Sequence, residues 1–316
     1  MPLNLHLLRM FATVVRSGSF SRAAEALHVS QPAISKGVRD FELQLGCRLL
    51  DRAPKGVRPT REGQALMRHA EALFATERAA EEEMRSLRSL EQGSLRIGAS
   101  TTIASYMIAD YLGAFHRAHR NVDLHIVSAN TREIADLMLG HEIDIALVEG
   151  PVSDDELVAA PWRTDVMELI VGPQHRFVTA TAPIDAAALA DETLIVREPG
   201  SGSRAIVLRA LQRHGIEPRR TLQIGSTEAI KQAVTAGLGI AIVSAAATHD
   251  QIAQQHLKSI AIRGLSIDRQ LWQLRIAGRL DAPAAVAFDQ LLNAPQPLGA
   301  AAAGYSVFER SGSRLA

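Results

Sequence analysis

Two sets of side chains in the chain have the types and spacing to engage a ligand. The first lies between residues 30 and 58. Ser30, Gln31, Pro32, Ser35, Lys36 and Arg39 fall in one short segment. Gln31, Ser35 and Arg39 recur at every fourth position and share a face if that segment is a helix. A glutamine amide pairs bidentately with adenine and a lysine with guanine, both displayed in the DNA major groove. Arg52, Lys55 and Arg58 follow in a stretch with Pro54, Gly56 and Pro59, a turn-rich cationic loop suited to phosphates or a minor groove. The second set is dispersed. Ser100-Thr101-Thr102, Asn130-Thr131, Glu149-Gly150, the run Glu198–Ser203 (with Ser201) and Gly225-Ser226-Thr227 each follow a short apolar run. Hydroxyls at strand-to-helix junctions either cap the helix or bind a small ligand at its N-terminus. Taken singly, each is more readily a cap. Their recurrence after successive runs points to a small-molecule cleft.

Other chemistries compete less well. Gly200-Ser201-Gly202-Ser203-Arg204-Ala205 fits the dinucleotide pattern G-x-G-x-x-A, which would make the chain an oxidoreductase. Pro199 separates those glycines from the preceding strand, and the next strand, Gln223-Ile224-Gly225, does not end in an acid. His116 and His119, with His125 nearby, lack a firm third zinc ligand and read as surface residues. No nucleophile elbow, zinc-protease or P-loop pattern occurs. No enzyme activity, metal or cofactor is expected.

The elements that must position these residues follow from pattern. The chain has 316 residues, enough for about two domains. It is 47% hydrophobic and 22% charged, which excludes disordered and fibrous classes. Lys+Arg and Asp+Glu both number 34, yet residues 1–60 hold nine basic and four acidic residues. A basic head on a mildly acidic body suits a polyanion partner. Cys47 is the lone cysteine, so no intrachain disulfide forms, and a reducing compartment fits. The apolar segment Leu3–Val15 is interrupted by Arg9 and followed by Arg16, so it reads as an amphipathic helix rather than an export signal. A cytoplasmic protein without membrane association is expected.

Leu5, Leu8, Phe11, Ala12 and Val15 mark a first helix. Ser19 or Ser21 caps a second, to about Leu27, and His28-Val29-Ser30 is a tight turn. Ser30 then caps a third helix, from Gln31 to Leu45, stopped by Gly46. Such a helix-turn-helix places its second helix in the major groove. Leu66, Ala70, Leu73, Glu77, Ala80, Met84 and Leu87 then alternate at four and three, a dimerisation seam with Glu77 as its polar defect. Beyond residue 93, short strands alternate with helices, implying α/β structure with mainly parallel sheets. Strands are expected at Leu157–Trp162, Met167–Val171 and Leu271–Ile276 among others, and one helix over Ile103–Ala118.

The run Phe11 to Lys36, FATVVRSGSFSRAAEALHVSQPAISK, resembles the winged head of LysR-type transcriptional regulators, and Leu49–Arg52 through Arg58-Pro59-Thr60 resembles their wing and linker-helix start. The likeness continues to about residue 293. It departs at Gly37, which weakens a helix, and at Phe41, where leucine is usual.

The resemblance implies an all-α winged helix-turn-helix at 1–60, a linker helix at 61–92 and an α/β effector region at 93–293. That region would resemble a periplasmic binding protein, with subdomains at about 94–164 plus 269–293 and at 165–268; the tail 294–316 would be disordered. It places the effector cleft on Ser100, Thr101, Thr102, Thr131, Glu149, Arg197, Ser201, Ser203 and Thr227. The run Arg197–Arg204 resembles the branch that regulates sulfur assimilation and carbon fixation. The partners implied are an operator DNA, a homodimer or homotetramer, RNA polymerase if the chain activates, and a small oxyanion or carboxylate. A sulfur oxyanion comes first and a phosphorylated or carboxylate metabolite next. An unpaired Glu149 would not suit an anion.

Overall fold

A computed structural model describes residues 3–53, 56–88, 93–150, 152 and 154–294. The head begins with α1 (Leu5–Ser17), α2 (Phe20–Ala26) and α3 (Gln31–Leu45), followed by a hairpin of β1 (Leu50–Ala53) and β2 (Gly56–Pro59). Asn4 caps α1 and Ser19 caps α2. Ser30 caps α3, and Gly46 ends it in the left-handed conformation. Leu8, Phe11, Ala23, Ile34, Val38 and Phe41 make the core. Gly37 lies where α1 and α3 cross: a Cβ there would stand 2.4 Å from Met10 Sδ, so an alanine would have to displace the thioether. The hairpin docks on the α1–α2 turn through Val57 N–H donating to the Gly18 carbonyl at 3.1 Å.

Helix α4 (Arg61–Arg88) has 28 residues and is about 42 Å long. Its Met67, Ala70 and Phe74 belong to the head core, with Leu66 and Leu73 packed at its margin. Glu77, the polar interruption in the apolar seam, pairs with Arg9, whose guanidinium lies 4.4 Å from the Phe74 ring centroid. One turn on from Phe74, Arg78 Nη2 donates to the His141 carbonyl at 2.8 Å.

The body runs β3 (Gly93–Ser100), α5 (Thr101–Tyr106), α6 (Ala109–Ala118), β4 (Val122–Ala129), α7 (Thr131–Leu139), β5 (Ile145–Glu149) and β6 (Leu157–Val171). It continues with β7 (Ile184–Asp185), β8 (Thr193–Val196), α8 (Gly202–Arg213), β9 (Arg220–Gln223), α9 (Thr227–Thr235), β10 (Ala241–Ser244) and α10 (His249–Ala253). It ends with β11 (Lys258–Ile260), β12 (Ile262–Arg263), β13 (Ile267–Ile276) and α11 (Pro283–Asn293). The large sheet has the order β10-β6-β13-β5-β3-β4, with β11 also on β6. Leu95, Ile97, Ile103, Phe115 and Phe288 form one core, and Leu169, Leu194, Val207, Leu211 and Ile240 another.

Three expectations need correction. Leu157–Trp162 and Met167–Val171 are one strand, β6, paired antiparallel with β13 across both cores. Pro161 is accommodated because the register shifts between Leu271 and Trp272, beside its partner position. Parallel pairing holds for β3–β4, β3–β5, β8–β9 and β7–β12, but the strands joining the two cores, β6 and β13, pair antiparallel. The helix expected over Ile103–Ala118 is two, broken at Met107-Ile108, where Ile108 is buried in the core. Residues 295–316, on which the tail expectation falls, lie outside the described residues.

Candidate functional site

On the head, Ser30, Gln31, Pro32, Lys36 and Arg39 are exposed and Ser35 half-buried, while Ile34, Gly37 and Val38 turn inward. The Gln31-Ser35-Arg39 stripe is therefore free along the outer face of α3. Arg58 is exposed on β2, opposite Asp51 of β1. Arg52 lies in β1, and Lys55 falls outside the described residues.

In the body, the junction hydroxyls converge. A cleft opens between the two cores, with a volume of about 350 Å³ that includes open solvent. Thr102 lines one side, and Arg197, Ser203, Arg204, Thr227 and Ser244 line the other. Behind them lies a buried network. Ser203 Oγ donates to Glu149, and Arg269 Nη1 lies 2.7 Å from Ser203 Oγ and 3.0 Å from Glu149 Oε2. Arg269 Nε donates to Asp165 Oδ2 at 2.7 Å, and Ser244 Oγ to Asp165 Oδ1 at 2.9 Å. Burial alone would raise the Glu149 pKa. Arg269, the Ser203 and Thr102 hydroxyls and Arg197 overcome that and hold it below the ordinary carboxylate value. Glu149 is thus a carboxylate paired with a cation of its own chain, not the unpaired charge that would repel an anion.

Arg197, 4% exposed, spans the cleft. Its Nη1 donates to Thr101 on α5 at 2.7 Å and to Thr227 on α9 at 3.2 Å. Its Nε and Nη2 form a fork with Glu198 at 2.8 and 2.9 Å. Thr131 Oγ1 donates to the Glu149 carbonyl at 3.1 Å, and Ser201 caps α8. Ser100, 2% exposed, caps nothing, and its hydroxyl has no partner. A further tie crosses nearby: Tyr106 of α5 donates to Glu228 of α9, which is 2.6 Å from Lys231 Nζ. Burial, then Glu228, pushes the Tyr106 pKa up.

Sequence reasoning missed Asp165, Arg204, Ser244 and Arg269, and placed Glu198 in a junction run without giving it a role. A charged residue inside a buried strand, as Arg269 is in β13, was the available signal. Gly202, in the dinucleotide-like run, answers a packing need. A Cβ there would stand 1.6 Å from the Glu149 carbonyl oxygen, so α8 can abut β5 only through glycine. Among the described residues no group of three His, Cys, Asp or Glu could hold a metal, and His119 packs on Phe115 at 4.6 Å between centroids. No helix among them is long and apolar enough to cross a membrane.

Comparison with known proteins bears on the family and the fold. The family described as "Bacterial regulatory helix-turn-helix protein, lysR family" matches residues 5–64, and "LysR substrate binding domain" matches 88–295. The RuBisCO operon transcriptional regulator of Allochromatium vinosum is 32% identical over 292 residues, covering 92% of this chain and 96% of its own. A full-length OxyR variant from Pseudomonas aeruginosa superposes with a TM-score of 0.73 at 24% identity, covering 92% of this chain and 94% of that one. That likeness speaks for the fold. The regulatory domain of Synechocystis CcmR, solved in complex with 2-PG, has a TM-score of 0.59 at 30% identity, covering 64% of this chain and 96% of its own.

Proposed function

The chain belongs to the LysR family of bacterial transcriptional regulators, and on that premise we propose that it reads an operator with α3 and the β1–β2 hairpin and answers to a small anion held in the cleft of its body. In this proposal residues 1–60 are the DNA-binding head and 61–92 the linker. Residues 93–293 are the effector region, with subdomains at about 94–164 plus 269–293 and at 165–268. Gln31, Ser35 and Lys36 reach base edges; Ser30, Pro32 and Arg39 flank them, and Arg52, Lys55 and Arg58 meet the backbone or minor groove. Two chains pair through the outer half of α4, and dimers associate further into a tetramer. RNA polymerase joins the partners if the chain activates.

One observation carries the effector reading: hydroxyls from both sides of the body meet in one cleft among guanidinium groups. In this reading Ser100, Thr101, Ser201 and Thr227 offer hydroxyl hydrogens to an anion, whereas Thr102, Thr131 and Ser203, whose hydroxyls serve Glu149, turn to the anion only by giving up that bond. Arg269 partners Glu149 but is shared with Asp165, so the attraction for an anion comes from another cation of the cleft. The complex of CcmR with 2-PG supports a small ligand in a domain of this kind.

The test is calorimetry of the full chain with sulfite, sulfate, inorganic phosphate, 2-PG and small carboxylates. Saturable heat is expected from at least one, weakened in a Thr102→Ala, Ser203→Ala double variant. Silence from all of them refutes the anion reading, and an unchanged affinity in that variant refutes Thr102 and Ser203 as its contacts.

A further inference from the structure

A guanidinium offers five N–H donors. Arg197 commits four of them, two to Glu198 and one each to Thr101 and Thr227. Its charge is matched by that of Glu198. Arg269 sits between two carboxylates, Glu149 at 3.0 Å and Asp165 at 2.7 Å. Together these two arginines and three carboxylates carry one excess negative charge, which gives an incoming anion no attraction. Arg204 differs. It lines the same cleft and makes no ion pair among the described residues, and its buried Nε has no hydrogen-bond partner. It lies in the first turn of α8, where the helix dipole adds positive potential. A buried cationic N–H without an acceptor is costly, and phosphate, sulfite or carboxylate oxygens match a guanidinium edge. Two more donors near the cleft lack acceptors, Ser100 Oγ and Arg269 Nη2, both on residues 2% exposed.

Building on the anion reading above, we infer that Arg204 is the cation that fixes the effector's anionic group, whereas Arg197 is a positioning residue that ties the two sides of the cleft together. Sequence alone favours the opposite choice, because Arg197 ends a strand at the cleft and Arg204 sits inside a helix. The neutralising partner of Arg197 is its chain neighbour, and among the described residues Arg204 has none.

The experiment compares the full-length wild type with Arg204→Gln, Arg204→Lys and Arg197→Gln. Each is titrated calorimetrically with sulfite, inorganic phosphate and 2-PG and melted without ligand. Arg204→Gln is expected to weaken whichever anion binds by about 10- to 100-fold, from the loss of a charged hydrogen bond, with its melting temperature unchanged. Arg204→Lys, which keeps the charge without the planar fork, falls between. Arg197→Gln lowers the melting temperature and loses less affinity than Arg204→Gln. Wild-type heat with an anion, but affinity within twofold in both Arg204 variants, overturns the assignment and leaves the anion reading standing. No wild-type heat with any anion overturns both.

Discussion

Replacing Arg269 by methionine tests the buried network most directly. Its side chain is fully buried, and it contacts Asp165 at 2.7 Å, Ser203 at 2.7 Å and Glu149 at 3.0 Å. Methionine fills similar space but strands two carboxylates that are at most 7% exposed. Breaking a buried ion pair from one side costs about 3–5 kcal/mol. A second route gives a similar figure. The variant can relax by protonating one carboxylate, and raising a pKa from about 4.3 to 7 costs about 4 kcal/mol at pH 7. At pH 5 the same protonation costs only about 1 kcal/mol. In the wild type the Glu149 pKa is depressed, so its stabilising effect is lost only as the pH falls below the ordinary carboxylate value. In Arg269→Met the shift reverses, and stability is lost as pH rises. The difference between the proteins should therefore shrink by about 3 kcal/mol from pH 7 to pH 5. Urea unfolding of both full-length proteins at the two pH values measures it, and terms common to both cancel. The triple variant Glu149→Gln, Asp165→Asn, Arg269→Met should recover much of the loss, because a neutral network strands no charge. A loss below about 1 kcal/mol at pH 7, or a larger loss at pH 5, refutes the buried pairing.

Gln31→Ala should change base preference at one operator position. Arg58→Ala should weaken all sequences alike and lower the salt slope by about one, both read by anisotropy against operator variants. Met84, 55% exposed on the outer half of α4, lies clear of the head core, unlike Leu73. Met84→Lys should raise the dimer dissociation constant about tenfold or more in sedimentation without moving the melting temperature, since losing one buried apolar contact and adding a charge costs more than about 1.4 kcal/mol. An unchanged constant removes α4 from the interface. Burial, then Arg279 and Arg78, lowers the His141 pKa to about 4, so His141 stays neutral when folded. Its contribution is complete above pH 6.5 and is lost progressively down to pH 4, by up to about 3 kcal/mol. Asparagine tolerates the left-handed backbone at this position (φ 52°), so His141→Asn should flatten that slope in acid titrations of unfolding.

Local signals were legible in the sequence wherever local chemistry decides the outcome. Ser30 and Gly46 bound α3 because a hydroxyl cap and a left-handed glycine are one-residue devices. Junction hydroxyls announced the cleft for the same reason. The missed features are non-local or lack a punctuating residue. Arg163-Thr164-Asp165, the polar stretch between the two expected strands, continues β6 because it pairs with Arg269–Leu271 of β13. Asp165 is neutral company for that strand only through an arginine 104 residues away. No proline or glycine marks the break at Met107-Ile108, so periodicity ran through it. Gly37 carried a helix-propensity penalty in the sequence, and the close passage of Met10 that occupies its missing Cβ depends on how α1 crosses α3.

The same distinction between committed and uncommitted groups organises the link from body to head. Phe74 is 2% exposed in the head core, and Arg78, four residues later on α4, is hydrogen-bonded to the body at His141. Four helical residues rise about 6 Å. Head and body are therefore fastened to one rigid helix within a single turn, with no flexible segment between the two attachments. The body side of this joint is itself braced. Asp144, 3% exposed, accepts from Arg96 at 2.9 Å and from Arg279 at 2.7 Å, and Arg279 also donates to the Ile143 carbonyl at 2.9 Å. Arg96 begins the path into β3, whose far end is Ser100 at the cleft. A strand, a buried carboxylate and its two arginines thus join the Ser100 end of β3 to the loop at His141 that accepts from Arg78.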